Sequence, residues 1–278
     1  MKTLKSISKK VLVALLFVLT VSCFALATGV NVRAEGNFPA EAKIEVLSGT
    51  SLKLNEKGGL RFSIKLNDAA KKYIKDDDTA GNVKLVAYIA PTAIVNKGDE
   101  YLIANGLRAE VAEGKIYQPE GDGNWYANVC PVDFKEANRK LDYSVKAFVM
   151  NGETVEATSD LNDEARGNIY DVATRALLDE TADYTQKILD LGGYSWLGTE
   201  QFPIYIDSIE LYNGLVSKIN SDFDFSEKYV AIASSVNTAE GTALAEGKTL
   251  PVNNYRVSRV TFMDGETVLG SVLAKEGE

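Results

Sequence analysis

The chain contains no histidine among its 278 residues. Ser-His-Asp and Cys-His catalysis, zinc sites with histidine ligands and haem with a proximal histidine are therefore excluded. Carboxylates, tyrosine, lysine and serine remain, so an enzyme of this composition would use two carboxyl groups, one of them an acid with a raised pKa. The 39 Asp and Glu residues do not single out such a pair, and we assign no catalytic residue.

Cysteine is nearly absent as well. The two cysteines are Cys23 and Cys130. Cys23 lies in an N-terminal segment that we expect to be removed, so an intramolecular disulfide is not possible afterwards and the core must hold the chain together. Because no histidine is present to activate Cys130, we interpret it as a small buried hydrophobe in a strand rather than a nucleophile.

Basic residues are outnumbered, with 30 Lys and Arg against 39 Asp and Glu. Five of the 30 basic residues and no acidic residue lie in residues 1–34, which leaves 25 against 39 and a net charge of about −14 for the remainder. The sequence has no basic cluster that would bind phosphates, so we expect no nucleic-acid partner. An acidic surface mainly favours solubility.

The N-terminus has the pattern of a secretory signal peptide over residues 1–34. Four lysines precede an apolar run over residues 11–27, and Val32-Arg33-Ala34 ends on small residues at the positions before a cut. We therefore expect a secreted or cell-surface protein without an integral membrane span after cleavage. The alternative is a lipoprotein anchored through Cys23, because Leu19-Thr20-Val21-Ser22-Cys23 loosely resembles a lipoprotein processing box.

Residues 35–160 predict a β-sandwich domain of short antiparallel strands. In residues 60–66, Leu60, Phe62, Ile64 and Leu66 alternate with polar residues, which is typical of a half-buried strand. Residues 83–91 are more continuously apolar and predict a central strand. Asn151-Gly152 predicts a hairpin turn. Many short strands at this spacing indicate an immunoglobulin-like sandwich.

After residue 160 the periodicity changes. Apolar residues recur at helical spacing from Ile169 to Leu177, and a second helix is predicted over residues 179–191 before Gly192-Gly193. We therefore expect a helical segment over residues 161–193 and a second, smaller β region over residues 194–278. Residues 204–212 alternate again and predict a strand that resembles the closing strand of jelly-roll carbohydrate-binding modules.

Four segments together resemble a poorly characterised module of secreted multidomain proteins of Gram-positive bacteria: residues 59–62, 86–91, 143–149 and 169–173. The C-terminal residues 255–278 resemble the opening of the β-grasp-like repeats of internalin-type surface proteins, with a Val-Thr-Phe strand, an Asp-Gly turn and a second strand. This resemblance implies either an incomplete repeat or a hairpin that completes the preceding domain.

Two kinds of binding site are candidates. Asp76, Asp78 and Asn82 place oxygen ligands on a glycine-containing loop, which suits calcium; otherwise we expect no cofactor. Surface aromatic rings stack on the apolar faces of sugars. Two groups border glycine-rich turns, and both are candidate ligand-binding residues: Tyr117, Trp125 and Tyr126 in the first group, and Tyr194 and Trp196 in the second.

The sequence therefore favours a non-catalytic module of a bacterial extracellular protein, which binds an extracellular polysaccharide or a surface protein at the cell envelope. Two alternatives stay open: a glycoside hydrolase that uses carboxylates, or its accessory region, and a structural spacer without a ligand. A deep cleft with facing acids would favour the hydrolase, and a flat face with exposed aromatic rings would favour binding.

Overall fold

A computed structural model describes residues 38–74, 83–179, 184–265 and 267–276. The segment interpreted as a signal peptide, with Cys23, and the calcium candidates Asp76, Asp78 and Asn82 lie outside these ranges.

The fold is rich in β-structure with fewer helices. The strands are β1 (Ile44–Val46), β2 (Ser51–Leu52), β3 (Leu60–Leu66), β4 (Val83–Pro91), β5 (Leu107–Val111), β6 (Trp125–Val129), β7 (Tyr143–Asn151), β8 (Thr154–Thr158), β9 (Arg166–Gly167), β10 (Ile204–Ile206), β11 (Val230–Ala233), β12 (Asn254–Asp264) and β13 (Thr267–Lys275).

The α-helices are short and lie between these strands. In chain order they are α1 (Asp68–Tyr73), α2 (Thr92–Val95), α3 (Asp99–Asn105), α4 (Ile169–Leu178), α5 (Thr185–Asp190) and α6 (Ile209–Asn220). None of the helices in the described ranges is long and apolar enough to cross a lipid bilayer.

Two antiparallel sheets form the N-terminal part. In the first, β3 pairs with β1, β2 and β6; in the second, the order is β5-β4-β7-β8, with β9 also paired to β7. The alternation predicted for β3 is confirmed, because its four apolar side chains are fully buried. They pack in one core with the apolar side chains at alternate positions of β4 and β7.

Strand β4 is buried on both faces, as its continuous apolar run predicts. Leu85, Ala87 and Ile89 belong to the core shared with the first sheet. Val86 and Tyr88 belong to a second, smaller core with Val95 of α2 and Leu102 of α3. Helices α2 and α3 therefore cover the outer face of the second sheet, which explains why the side chains of residues 85–90 are apolar on both faces of the central strand.

The hairpin predicted at Asn151-Gly152 is present, with its turn one residue further along the chain. Asn151 still pairs with Thr154, so the loop consists of residues 152 and 153. Gly152 has a φ of 59°, a backbone conformation that glycine adopts without steric cost. The glycine of the predicted dipeptide therefore fixes the turn, whereas the asparagine ends the strand.

The helix predicted from Ile169 is confirmed as α4. Its first turn is capped by Asn168, whose Oδ1 accepts a hydrogen bond of 2.7 Å from the backbone N–H of Asp171. The second helix is shorter than the predicted residues 179–191, since α5 covers Thr185–Asp190. Gly192 and Gly193 follow it in a 3-10 turn.

The strand predicted over residues 204–212 is wrong in its second half. Only Ile204–Ile206 is a strand, and Ile209–Asn220 is helix α6. Ser208 begins this helix because its Oγ accepts a hydrogen bond of 3.3 Å from the N–H of Leu211. The resemblance to a closing jelly-roll strand therefore fails here.

The C-terminal sheet has the order β10-β11-β12-β13. The β10–β11 and β11–β12 pairs are parallel, with α6 as the crossover between β10 and β11. The last pair is the predicted antiparallel hairpin. The expected smaller β region is therefore a mixed sheet with its own helix.

Candidate functional site

Two tyrosines form an aromatic pair on the outer face of the first sheet. Tyr117 and Tyr126 exchange backbone hydrogen bonds of 2.9 and 2.7 Å, which hold the two residues side by side. Their ring centroids lie 6.1 Å apart, with an angle of 35° between the ring planes. Tyr117 is 47% exposed. Both residues belong to the group of three aromatic residues that the sequence places around the turn at residues 121–123.

Polar side chains hold both rings by their hydroxyl groups. The Tyr126 hydroxyl donates to Asp122 Oδ2 at 2.7 Å, and Asn128 Nδ2 donates to the Tyr117 hydroxyl oxygen at 3.2 Å. Ser63 Oγ donates to Asn128 Oδ1 at 2.9 Å. The hydrogen bond to Asp122 raises the pKa of Tyr126 and lowers the pKa of Asp122. These five residues are called the tyrosine face below.

Trp125, the third residue of this group, lies apart from the tyrosine face. Successive side chains of a strand point to opposite sides, and Trp125 is turned towards α1. Its indole N–H donates to Asp68 Oδ1 at 2.7 Å, and Lys71 Nζ lies 5.6 Å from the ring centroid. Trp125 is half-buried, so it connects α1 to β6 and does not extend the aromatic pair.

The second predicted group is not a surface platform. Tyr194 is only 2% exposed. Its hydroxyl donates to the carbonyl of Lys53 at 2.7 Å and accepts from the N–H of Gly59 at 3.1 Å. Burial raises the pKa of this phenol. The prediction that Tyr194 binds a ligand at the surface is therefore corrected: the residue fastens the β2–β3 connection to the core.

Trp196 is half-buried in a cluster of aromatic and basic side chains. Its indole N–H donates to the carbonyl of Gly193 at 2.7 Å. The Arg139 guanidinium lies 4.9 Å from its ring centroid, and the Phe202 ring packs against it edge-on at 5.4 Å. These contacts occupy the ring that a sugar would need, so Trp196 also falls outside the candidate site.

Sequence reasoning missed the basic residues of this region. Lys140 Nζ lies 4.9 Å from the centroid of the Tyr170 ring. Arg259 binds Asp171 through two hydrogen bonds of 2.8 and 3.2 Å, and its guanidinium lies 4.4 Å from the Tyr205 ring centroid. Four distant segments supply these residues, and no spacing in the sequence indicates that they meet.

Two carboxylates line a cavity of about 290 Å³ beside the end of α6. Its lining includes Asp222 and Asp224. A hydrogen bond from Lys248 lowers the pKa of Asp222, and hydrogen bonds from Ser226 lower the pKa of Asp224. A glycosidase acid needs a raised pKa, so this pair does not supply one.

Metal and thiol chemistry have little support in the described part of the chain. No group of three or more Cys, Asp or Glu side chains within it is arranged to hold a metal ion. Cys130 is half-buried and carries a free thiol. The tyrosine face is therefore the candidate binding site.

Comparison with known proteins adds no relative. No protein-family model, no curated protein and no solved structure matches the chain. The geometry of the tyrosine face is therefore the basis for a functional assignment.

Alkaline pH is expected to destabilise the fold through its tyrosines. Burial and a hydrogen bond with Glu156 raise the pKa of Tyr73 from 10.0 to about 12, and burial raises the pKa of Tyr170. Since these phenols ionise more easily in the unfolded chain, their contribution to stability is complete below pH 10 and declines as the pH rises towards 12. Denaturant unfolding measured across this range tests the prediction.

The matched control for this prediction is Tyr73→Phe, which cannot ionise at this position. We expect the variant to lose less stability between neutral and alkaline pH than the unaltered protein. An identical decline in both proteins would contradict the assignment of a raised pKa to Tyr73.

Proposed function

We propose that the chain is a secreted or cell-surface, non-catalytic module of a bacterial extracellular protein, and that it binds a glycan through the tyrosine face. The observation that carries the proposal is the hydrogen-bonded pair of the exposed Tyr117 and the half-buried Tyr126. We also propose that the first two sheets form an immunoglobulin-like sandwich, and that the C-terminal hairpin corresponds to the opening of an internalin-type repeat. The spacing of the short strands supports the first assignment, and the resemblance of residues 255–278 supports the second.

The chemistry of the tyrosine face suits a sugar better than a protein side chain. Aromatic rings offer flat apolar surfaces to the C–H groups of a pyranose. Around them, Asp122 provides a carboxylate acceptor, and Ser63 and Asn128 provide hydroxyl and amide groups that bind sugar hydroxyls. The hydrogen bonds among these groups fix the rings before a ligand arrives, which reduces the entropy lost on binding.

The first test is a binding screen of purified residues 35–278 against polysaccharides and peptidoglycan, with release of reducing ends measured in the same wells. We expect binding without release. Release would support the alternative of a carboxylate-based hydrolase. The absence of both binding and release would contradict glycan binding and favour a protein partner or a structural spacer.

Substitution then locates the site. Tyr117→Ala is expected to weaken binding about tenfold, since one aromatic contact is worth about 0.5–1.5 kcal/mol beyond its buried area. Tyr101→Ala is the matched control, because Tyr101 is 40% exposed on α3, away from the tyrosine face. Affinities are measured by titration calorimetry. Equal losses in the two variants would contradict the assignment to the tyrosine face.

A further inference from the structure

A second cavity, separate from the tyrosine face, has a volume of about 310 Å³. It lies between the loop that precedes β10 and the β12–β13 hairpin. Its polar lining comes from Lys140, Glu200, Gln201, Tyr255 and Lys275, and Pro203 and Leu273 form apolar walls. Small-molecule sites occupy about 300–1,000 Å³ and combine apolar walls with a few polar groups. The cavity is at the small end of this range.

Lys140 forms no ion pair with a carboxylate in the described part of the chain. Within the described ranges no Asp or Glu oxygen lies within the 4.0 Å of an ion pair from its Nζ. Its hydrogen-bond acceptor is the carbonyl of Gln201, at 3.4 Å. Burial and the positive charge of Arg259 lower the pKa of its ammonium group, and the negative charge of Asp171 opposes this shift in part. An incoming anion would therefore stabilise the charged form of Lys140.

The position of Lys140 is fixed by its neighbours in the chain. The carbonyl of Arg139 accepts a hydrogen bond of 3.1 Å from the N–H of Tyr170, and the carbonyl of Asp142 accepts one of 2.9 Å from Thr92. These bonds tie both ends of the turn to α4 and α2. Lys140 therefore differs from a free surface lysine, because less backbone freedom is lost when it binds a ligand.

A second cation lines the same cavity. Lys275 Nζ lies 4.7 Å from the centroid of the Tyr255 ring. With Glu200, the ionised side chains of the lining carry two positive charges and one negative charge. A net charge of +1 matches a single carboxylate better than a doubly charged phosphate.

We propose that this cavity binds a carboxylate-bearing sugar, a uronic acid, with its carboxylate between Lys140 and Lys275. The apolar walls formed by Pro203 and Leu273 contact the sugar ring. This site is independent of the tyrosine face, so either site can fail without the other.

The test is titration calorimetry with galacturonate, galactose and inorganic phosphate. We expect galacturonate to bind at least tenfold more tightly than either of the other two. Equal binding of galactose would overturn the proposal, because it would show that the carboxylate of the ligand does not contribute to binding. Phosphate binding as tight as galacturonate would overturn the choice of a carboxylate, and absence of galacturonate binding at millimolar concentrations would overturn the site.

Variants separate this cavity from general attraction to lysine. Lys140→Met and Lys275→Met are each expected to reduce galacturonate affinity about tenfold, while the exposed helical control Lys72→Met leaves it unchanged. Lys275→Met keeps the test valid if Lys140→Met does not fold. Tyr117→Ala should also leave galacturonate binding unchanged. If Lys140→Met and Lys275→Met reduced galacturonate affinity no more than Lys72→Met does, the assignment to this cavity would be overturned.

Discussion

Replacement of Gly214 by alanine is expected to destabilise the protein by about 3 kcal/mol, the upper part of the range for overpacked cores. Gly214 lies in the middle of α6, where the helix crosses α4. A Cβ atom at this position would lie 2.1 Å from the carbonyl oxygen of Leu178 and 3.1 Å from its carbonyl carbon. Because these are backbone atoms, no change of rotamer relieves the contact, and the two helices must separate.

Two effects of opposite sign compete in this substitution. Alanine is favoured over glycine in a helix interior by about 1 kcal/mol. The steric contact is larger, since separation of the helices also opens the core around Leu215 and Val216, both fully buried. We therefore expect a net loss of stability.

Urea unfolding followed by circular dichroism measures this loss. Gly114→Ala is the control, because a Cβ atom at Gly114 meets nothing within 4 Å. We expect its stability to remain within about 0.5 kcal/mol of the unaltered protein, as is usual for surface substitutions. A Gly214→Ala protein that is as stable as this control would contradict the close packing of α4 on α6.

The fold could be predicted from the sequence where local pattern and burial agree. In β3, alternation selects the buried face, and in β4 a continuous apolar run corresponds to cores on both sides. The strand predicted over residues 204–212 is wrong in its second half because such a short alternating stretch fits both the period of a strand and that of a helix. Tyr212 at its end and Val216 and Ile219 beyond it recur at helical spacing and are buried on α6. A longer window would have favoured the helix, and Ser208 is a typical N-cap.

Among the candidate sites as well, local sequence predicts the residues that are close in the chain but not those that meet only in the folded protein. Tyr117 and Tyr126 could be grouped from the sequence because a short turn joins them. Tyr194 has the same local signal, an aromatic residue beside glycines, but its burial depends on contacts with residues 53 and 59, distant in the chain. Lys140 and Lys275 come together only through the folded C-terminal sheet, so local sequence carries no trace of their cavity.

Substitution of Asp171 by asparagine is expected to have the next largest effect on stability. Its carboxylate accepts both hydrogen bonds from the Arg259 guanidinium and a third, of 3.0 Å, from Asn168 Nδ2. Loss of one partner in a fully buried ion pair costs about 3–5 kcal/mol, and since these side chains are 24% and 28% exposed, we expect about 2 kcal/mol.

A double-mutant cycle with Arg259→Met isolates the interaction. Most of the loss in Asp171→Asn comes from leaving the Arg259 charge unpaired above the Tyr205 ring. Removing that charge in the double variant should therefore recover about 1 kcal/mol relative to the sum of the single losses. Unfolding free energies from urea titrations give the four corners of the cycle. Strict additivity would mean that the ion pair does not join α4 to β12, and the wall that carries Lys140 beside the C-terminal sheet would then depend on apolar packing alone.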